Sequence, residues 1–304
     1  MTVRDNGIVI DEVQRVPELF SYIQGIVDET NKNGRFILTG SQNFLLLEQI
    51  SQSLAGRAAL FNLLSFSISE ILSGFPIADD FTQLAFTGTY PRIYDQNLNP
   101  SEWYPSYISS YIERDVRQIE NIKDLNKFQT FLRLCAGRVG QLLNASAIAN
   151  DIGVSYKTIQ SWISVLEASF IIFLLQPFYR NFNKRLTKSP KLYFYDTGLV
   201  CSLLGIRSAE ELNFHYLKGE IFESLVISEL KKHLANTNHP AALYFWRDKS
   251  SNEIDCLIDS GSGVKAVEIK SSTTVNPAFF KSLEYWQKLT GTAAEHSYLV
   301  YGGA

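Results

Sequence analysis

The sequence predicts a multidomain α/β chain, and three observations carry that reading. Short apolar runs alternate with a helical period at the N-terminus, helical periodicity dominates the middle, and the C-terminal part has a helix–strand–strand order with charges at alternate positions. At 304 residues, 45% hydrophobic and 19% charged, the chain has room for about two or three cores.

The first element is Gly7-Ile8-Val9-Ile10, an apolar strand ending in Asp11-Glu12. Leu19, Tyr22, Ile23, Ile26 and Val27 then recur at helical spacing over residues 17–28, and Pro17 suits the first turn. Gly34 turns the chain into a second strand over 35–39, and the run 60–64 reads as a third. Such alternation predicts a parallel sheet. Residues 66–105, with Gly74, Pro76, Gly88, Pro91 and Pro100, read as an irregular lid and connector. Residues 103–143 are helical, 145–166 form two short helices about a turn at Gly153, and 170–178 is an apolar strand. The last unit begins near Gly219: a helix over 220–234, strands over 243–246, 253–258 and 264–270, a helix over 277–289 and a strand over 297–301.

Composition narrows the function. A net charge of −3 excludes bulk electrostatic attachment to nucleic acid, so any such contact needs a local basic patch. The sequence offers one: Arg180, Lys184, Arg185, Lys188 and Lys191, with no acid until Asp196. Cys135, Cys201 and Cys256 lie far apart, and the 4 histidines show no zinc-type spacing. Scattered thiols fit a reducing cytosol. No basic stretch followed by an apolar run opens the chain. The longest apolar run, 170–175, falls far short of the ~20 residues of a membrane helix. A cytoplasmic chain with no membrane attachment is expected.

Three constellations carry chemistry. Asp11-Glu12 after an apolar strand has the form of a Walker B segment, in which the Asp holds the Mg²⁺ shell and the Glu orients the attacking water. Thr39-Gly40-Ser41-Gln42-Asn43 ends the next strand in polar groups, as a sensor segment does, and open α/β sheets bind ligands at strand ends. Arg57 could reach a phosphate, although a solvated helix-end arginine is the plainer reading. Both carboxylates need a glycine-rich phosphate cradle, and G-x-x-x-x-G-K-[ST] occurs nowhere in these 304 residues.

The second constellation runs over 147–155, with the cadence of a helix-turn-helix. Its second helix should expose Tyr156, Lys157, Gln160 and Ser161 and bury Ile159, Trp162, Ile163 and Leu166. Lys157 and Gln160 could reach bases or phosphates in a major groove, with Arg180, Lys184 and Arg185 on the backbone. A packing or protein-docking module is the even alternative. The third constellation is Glu253-Ile254-Asp255 followed by Val267-Glu268-Ile269-Lys270. Alternation puts Glu253 with Asp255, and Glu268 with Lys270. Carboxylates facing across neighbouring strands bind Mg²⁺, a lysine two residues on can position or polarise a hydrolytic water, and Glu223 could add a further carboxylate. Alternating charge on an exposed sheet face is the plain alternative.

Along nearly its whole length the chain resembles prokaryotic AAA-type ATP-binding proteins with a C-terminal domain of unknown function. The matching segments include Ile10-Asp11-Glu12-Val13-Gln14-Arg15-Val16-Pro17, Leu38-Thr39-Gly40-Ser41, Ser53-Leu54-Ala55-Gly56-Arg57, Glu113-Arg114-Asp115-Val116, the run 188–198 and Tyr244-Phe245-Trp246-Arg247. The resemblance implies a partial P-loop ATPase sheet lacking its Walker A strand over 1–70, a lid and helical connector over 71–125, a winged helix over 126–192 and a restriction-endonuclease-like, PD-(D/E)xK domain over 193–304. By it Asp11 and Glu12 are the Walker B pair, with Asp11, Ser41 and Arg57 on the nucleotide. Glu12, Asp255, Glu268 and Lys270 are then catalytic, and Asp11, Glu223, Asp255 and Glu268 hold Mg²⁺.

ATP belongs to full-length relatives; without a P-loop this chain, which reads as N-terminally truncated, is expected not to bind it and to be defective in hydrolysis. The expected function is that of an ATP-binding AAA-type ATPase-family protein acting on DNA. A Mg²⁺-dependent nuclease independent of ATP, or a non-enzymatic DNA- or protein-binding module, are the alternatives. Expected partners are DNA and either another protein or a second copy of the chain.

Overall fold

The computed structural model describes residues 7–30, 32–40, 53–76, 80–116, 122, 124–178 and 189–303, with backbone alone over 113–116. Two compact units divide the chain, Met1–Asn62 and Leu63–Ala304. Both are α/β.

In the first unit, β1 (Ile8–Ile10) and β2 (Phe36–Leu38) pair in parallel, with Ile8 opposite Phe36 and Ile10 opposite Leu38. The Glu18–Thr30 helix connects them and buries Phe20 and Ile23 against Val13 and Leu54. The parallel strand–helix–strand unit expected from the periodicity is therefore present. The expected third strand is not. Residues 60–64 are irregular, and Phe61 is 82% exposed. An apolar run becomes a strand only where a ladder takes up its backbone groups, and this run has no such partner among the described residues.

The second unit begins with helices where the sequence suggested an irregular connector. Ile68–Gly74, Phe81–Thr87, Pro91–Asp95 and Pro100–Tyr107 are all helical. Pro91 and Pro100 start helices instead of breaking them, because a first-turn residue needs no N–H. Ser67 and Glu70 close a capping box, and Asp80 and Asn99 cap two of the other helices. A π-helical stretch, Ile108–Val116, and the Leu125–Ala136 helix follow. The Ala145–Ile152 and Tyr156–Ala168 helices then turn at Gly153, at φ +71°, with the Ser155 hydroxyl accepting from Thr158 N–H. Ile159, Trp162, Ile163 and Leu166 are buried as their spacing predicts.

Six strands form one mixed sheet: β3 (Ile172–Pro177), β4 (Lys191–Phe194), β5 (Ala242–Arg247), β6 (Glu253–Asp259), β7 (Val264–Lys270) and β8 (Ser297–Tyr301), in the order β4-β3-β5-β6-β7-β8. β6 runs antiparallel to both β5 and β7, while β3 pairs β5 and β8 pairs β7 in parallel. Val267 and Ile269 share a core with Phe222 and Ile227 of the Lys218–Asn236 helix. Val264 and Ala266 share another with Leu283 and Trp286 of the Lys281–Thr290 helix. Period-2 alternation makes these opposite faces, so the sheet is covered by a helix on each side. β3 and β4, placed with the winged helix in the sequence, belong to this sheet. No described helix is long and apolar enough to cross a membrane.

Asp196 ties the helices to the sheet. Buried after β4, it caps the Thr197–Leu204 helix through Leu199 N–H at 2.8 Å and accepts from Thr89 N–H and Tyr104 Oη, each at 2.6 Å. Gly88 lies against this carboxylate at φ +71°, and a Cβ there would stand 2.6 Å from Asp196 Oδ1 while overlapping Tyr104 Oη. Gly153 has the same φ but open space around it. Gly88→Ala should therefore cost about 3 kcal/mol or more in urea denaturation, and Gly153→Ala only about 1–2 kcal/mol. Equal losses would show that neither the contact with Tyr104 and Asp196 nor the ψ of −162° at Gly88, a setting essentially confined to glycine, adds to the cost.

Candidate functional site

The acidic residues singled out at the C-terminus converge where β6 and β7 part. Their ladder runs from Asp259 opposite Val264 to Cys256 opposite Val267 and stops before Asp255. A β-bulge lies at that point: between the pairs Tyr244–Leu257 and Trp246–Ile254, β5 has Phe245 alone while β6 has Asp255 and Cys256. Bulges re-aim side chains. Ile254 and Leu257 consequently share one core while Cys256 enters the other. Asp255 Oδ2 accepts Ile269 N–H at 2.7 Å, taking a donor that a strand carbonyl would otherwise take.

Lys270 closes the group. Its Nζ stands 2.7 Å from Glu268 Oε1 and 3.5 Å from Asp255 Oδ2, and donates to Ile269 O at 3.1 Å. Glu268 Oε2 is buried and has no hydrogen-bond partner. Asp255, Glu268 and Lys270 thus come together.

Glu223 is held differently. From the second turn of the Lys218–Asn236 helix, its Oε1 accepts from Lys191 Nζ at 3.0 Å and from the Tyr193 hydroxyl. Lys191 also pairs with Glu253 Oε1, whose other oxygen lies 3.3 Å from Arg247 Nη1. In the sequence Lys191 closes a basic cluster; in the fold it is 4% exposed and bound between two acids. Sequence reading missed Lys191 and Tyr193 as site residues. Their signal was the alternation Lys191-Leu192-Tyr193, which sends both to one face of β4.

The electrostatics follow from burial. Burial pushes Glu223 up to about 7, opposed by Lys191 and reinforced by the Asp255 charge. Burial likewise raises Glu268 to about 7, with Asp255 adding to the shift and Lys270 opposing it. For Lys191 and Lys270 burial works downward, but the neighbouring carboxylates outweigh it and hold both above the usual lysine value. Among the described residues no three His, Cys, Asp or Glu groups converge to hold a metal ion. Two carboxylates, Asp255 and Glu268, do meet at Lys270, and one oxygen of Glu268 is buried without a donor. That hard-oxygen set fits Mg²⁺, which proteins hold by one or two carboxylates plus water.

The N-terminal constellation is partly assembled. Asp11 Oδ1 accepts from Glu12 N–H at 3.0 Å and from the Thr39 hydroxyl, so the two strand ends meet. Glu12 sits at φ +51°, a strained setting for a non-glycine residue, and its Oε2 accepts from Gln14 at 2.9 Å. Arg57 grips Asp28 at 2.6 and 3.1 Å. Ser41 lies outside the described residues, as do Arg180, Lys184 and Arg185. Lys157 and Gln160 are exposed, with Gln160 donating to Tyr156 Oη at 3.0 Å.

Comparison with known proteins divides the chain along similar lines. Residues 2–72 match an AAA domain, 78–210 a domain of unknown function (DUF8612) and 218–304 another domain of unknown function (DUF4143). Uncharacterized proteins of Mycobacterium bovis and Mycobacterium tuberculosis are each 30% identical over 278 residues, covering 91% of this chain and 60% of theirs. An uncharacterized protein of Methanocaldococcus jannaschii is 22% identical over 276 residues, 83% of this chain and 58% of that protein. The chain therefore spans about 60% of the length of the curated relatives it matches. No solved structure matches it. The matches at the two ends are those of an AAA-type ATPase-like protein.

The raised acids set a pH dependence. Glu223 and Glu268 titrate near 7 in the fold against 4.5 for an ordinary glutamate, so between those values the folded chain holds more protons than the unfolded one. Stability must fall as pH rises through that window. Relative to wild type, Glu268→Gln should show no gain near pH 4 and a gain of about 1–3 kcal/mol by pH 8, read by urea denaturation in EDTA. A difference that stays flat across this range would contradict the raised value.

Proposed function

We propose that the chain is part of an ATPase-like protein acting on DNA, and that its C-terminal sheet carries a nuclease-type site of the PD-(D/E)xK kind. The observation that supports this is the meeting of Asp255, Glu268 and Lys270 at the opening between β6 and β7, with Glu268 Oε2 buried and unpaired. In this reading Asp255 and Glu268 hold Mg²⁺, which when bound activates water and stabilises charge on the scissile phosphate. Ile269 N–H fixes the Asp255 carboxylate. Lys270, one-third exposed, positions the water and meets the phosphate charge.

The turn between the Ala145–Ile152 and Tyr156–Ala168 helices is proposed as a winged-helix contact, with Lys157 and Gln160 on DNA and Arg180, Lys184 and Arg185 adding phosphate contacts. Asp11 and Glu12 are proposed as a Walker B pair, with Ser41 and Arg57 as nucleotide contacts in an assembly that supplies a phosphate cradle. The three described cysteines are free and buried, in keeping with a cytoplasmic setting.

A second reading is a DNA- or protein-binding module without catalysis. It is favoured by the degree to which Lys191 and Arg247 already neutralise Glu223 and Glu253. Cleavage decides between the two. The nuclease reading expects Mg²⁺- or Mn²⁺-dependent cutting of DNA that Asp255→Asn lowers by on the order of 10²-fold or more while DNA retention persists. Retention without cutting, equal in wild type and Asp255→Asn, supports the binding module.

For the nucleotide, the 304-residue chain has Asp11 and Glu12 but no phosphate-cradling motif. Titration with ATP should show no micromolar binding and no turnover. Tight binding that Asp11→Ala removes would contradict the expected lack of ATP binding while supporting the Walker B role of Asp11.

A further inference from the structure

The nuclease-type reading leaves one carboxylate unexplained. Glu223 lies close enough to Asp255 and Glu268 for their charges to act on one another, yet its Oε1 is taken by two donors, the Lys191 ammonium and the Tyr193 hydroxyl. Lys191 is itself buried and fixed by a second acid, Glu253, with its Nζ 5.7 Å from the centroid of the Phe245 ring. Phe245 is the single residue opposite the bulge that re-aims Asp255. The cation is therefore built into the same irregularity as the candidate ligands.

Charge accounting bears on how many ions such a site can take. Four carboxylates, Glu223, Glu253, Asp255 and Glu268, meet three side-chain cations, Lys191, Arg247 and Lys270. Fully ionised, they leave one negative charge. One divalent cation turns this into one positive charge; a second would raise it to three around carboxylates that are largely buried. Buried charge without a partner is heavily penalised. The only side-chain oxygen in this group that is buried and unpaired belongs to Glu268.

We propose that Lys191, helped by Tyr193, withdraws Glu223 from metal ligation, so that the site takes one divalent cation and the Lys191 ammonium supplies the charge a second would bring. This rests on the nuclease-type reading of Asp255 and Glu268. Lys191 is a positioning residue here: it acts on Glu223 and not on the substrate.

Equilibrium titration of the full chain with Mn²⁺, with free ion followed by electron paramagnetic resonance, tests this in an Asp11→Asn background that removes the N-terminal carboxylate from the count. The expected result is one bound equivalent. Glu223→Gln should keep it with affinity changed by less than about threefold, and Glu268→Gln should weaken it by at least about tenfold. Lys191→Met, similar in length, should bind a second equivalent through the freed Glu223. Two equivalents in the parent chain, loss of the bound ion on Glu223→Gln, or a folded Lys191→Met chain that still binds one, overturns the proposal while leaving a cation site at Asp255 and Glu268. No bound Mn²⁺ in the parent chain removes the nuclease-type reading itself, and this proposal with it. Should Lys191→Met not fold, the Glu223→Gln result alone decides.

Discussion

The C-terminal site depends on a buried lysine crossing the face of a sheet. Lys191 starts from β4, the edge strand, yet its ammonium reaches Glu223 on a helix and Glu253 at the start of β6. Burial favours the neutral form of Glu223 and Glu268, and the neighbouring Asp255 charge favours it further. Internal cations let them stay ionised in part. Burial still dominates for Glu223 and Glu268, which is why both stay above the ordinary glutamate range even beside lysines. The site is balanced between neutral acid and paired ion, a condition under which a small change of charge alters the protonation of several groups together.

The Lys218–Asn236 helix links this balance to the rest of the second unit. Near its N-terminus it presents Glu223. Further along, Lys232 is fully buried and donates to Phe66 O at 3.0 Å and Thr89 Oγ1 at 2.9 Å, while Glu229 accepts from Ile68 N–H at 2.6 Å. Thr89 in turn binds Asp196. The segment that opens the unit, the helical layer and the candidate site therefore share one rigid element. Removing any one of these polar partners would leave another buried without one, so the arrangement resists gradual loosening.

Much of this was legible in the sequence, for reasons that can be named. β7 was bounded correctly because Val264–Lys270 is a short run of apolar residues interspersed with charges at Lys265, Glu268 and Lys270, and β8 because its apolar run is short and flanked by turn residues. The turn at Gly153 was legible from small residues, a glycine and a serine cap. The helices over 66–105 were not, because their prolines and caps look like turn residues until their first-turn positions are known. The bulge at Asp255 was invisible, since an extra residue on one strand leaves alternation intact on either side of it. Lys191 was misread for a related reason: a basic run does not reveal which of its members a strand will carry inward. The charged pairs at Asp255, Glu268 and Lys270 were found from spacing, but the divergence of strands that brings them together is a property of the sheet.

The first unit shows a different limit. Asp11 and Thr39 meet at the ends of two parallel strands, as ligand-binding strand ends do, yet Val9 and Ile37 on the other side are 67% and 59% exposed. The AAA-domain match covers residues 2–72, and the chain spans about 60% of the length of the relatives from Mycobacterium.

In the proposed arrangement Asp255 and Glu268 hold one cation and Lys191 keeps Glu223 away from it. The most direct measurement is the anomalous difference map of a crystal of the full chain grown with Mn²⁺. One strong peak is expected in this region, touching an oxygen of Asp255 and one of Glu268, with Glu223 still on Lys191. A peak ligated by Glu223, or an ordered site with Lys270 unmoved and no peak, would contradict it.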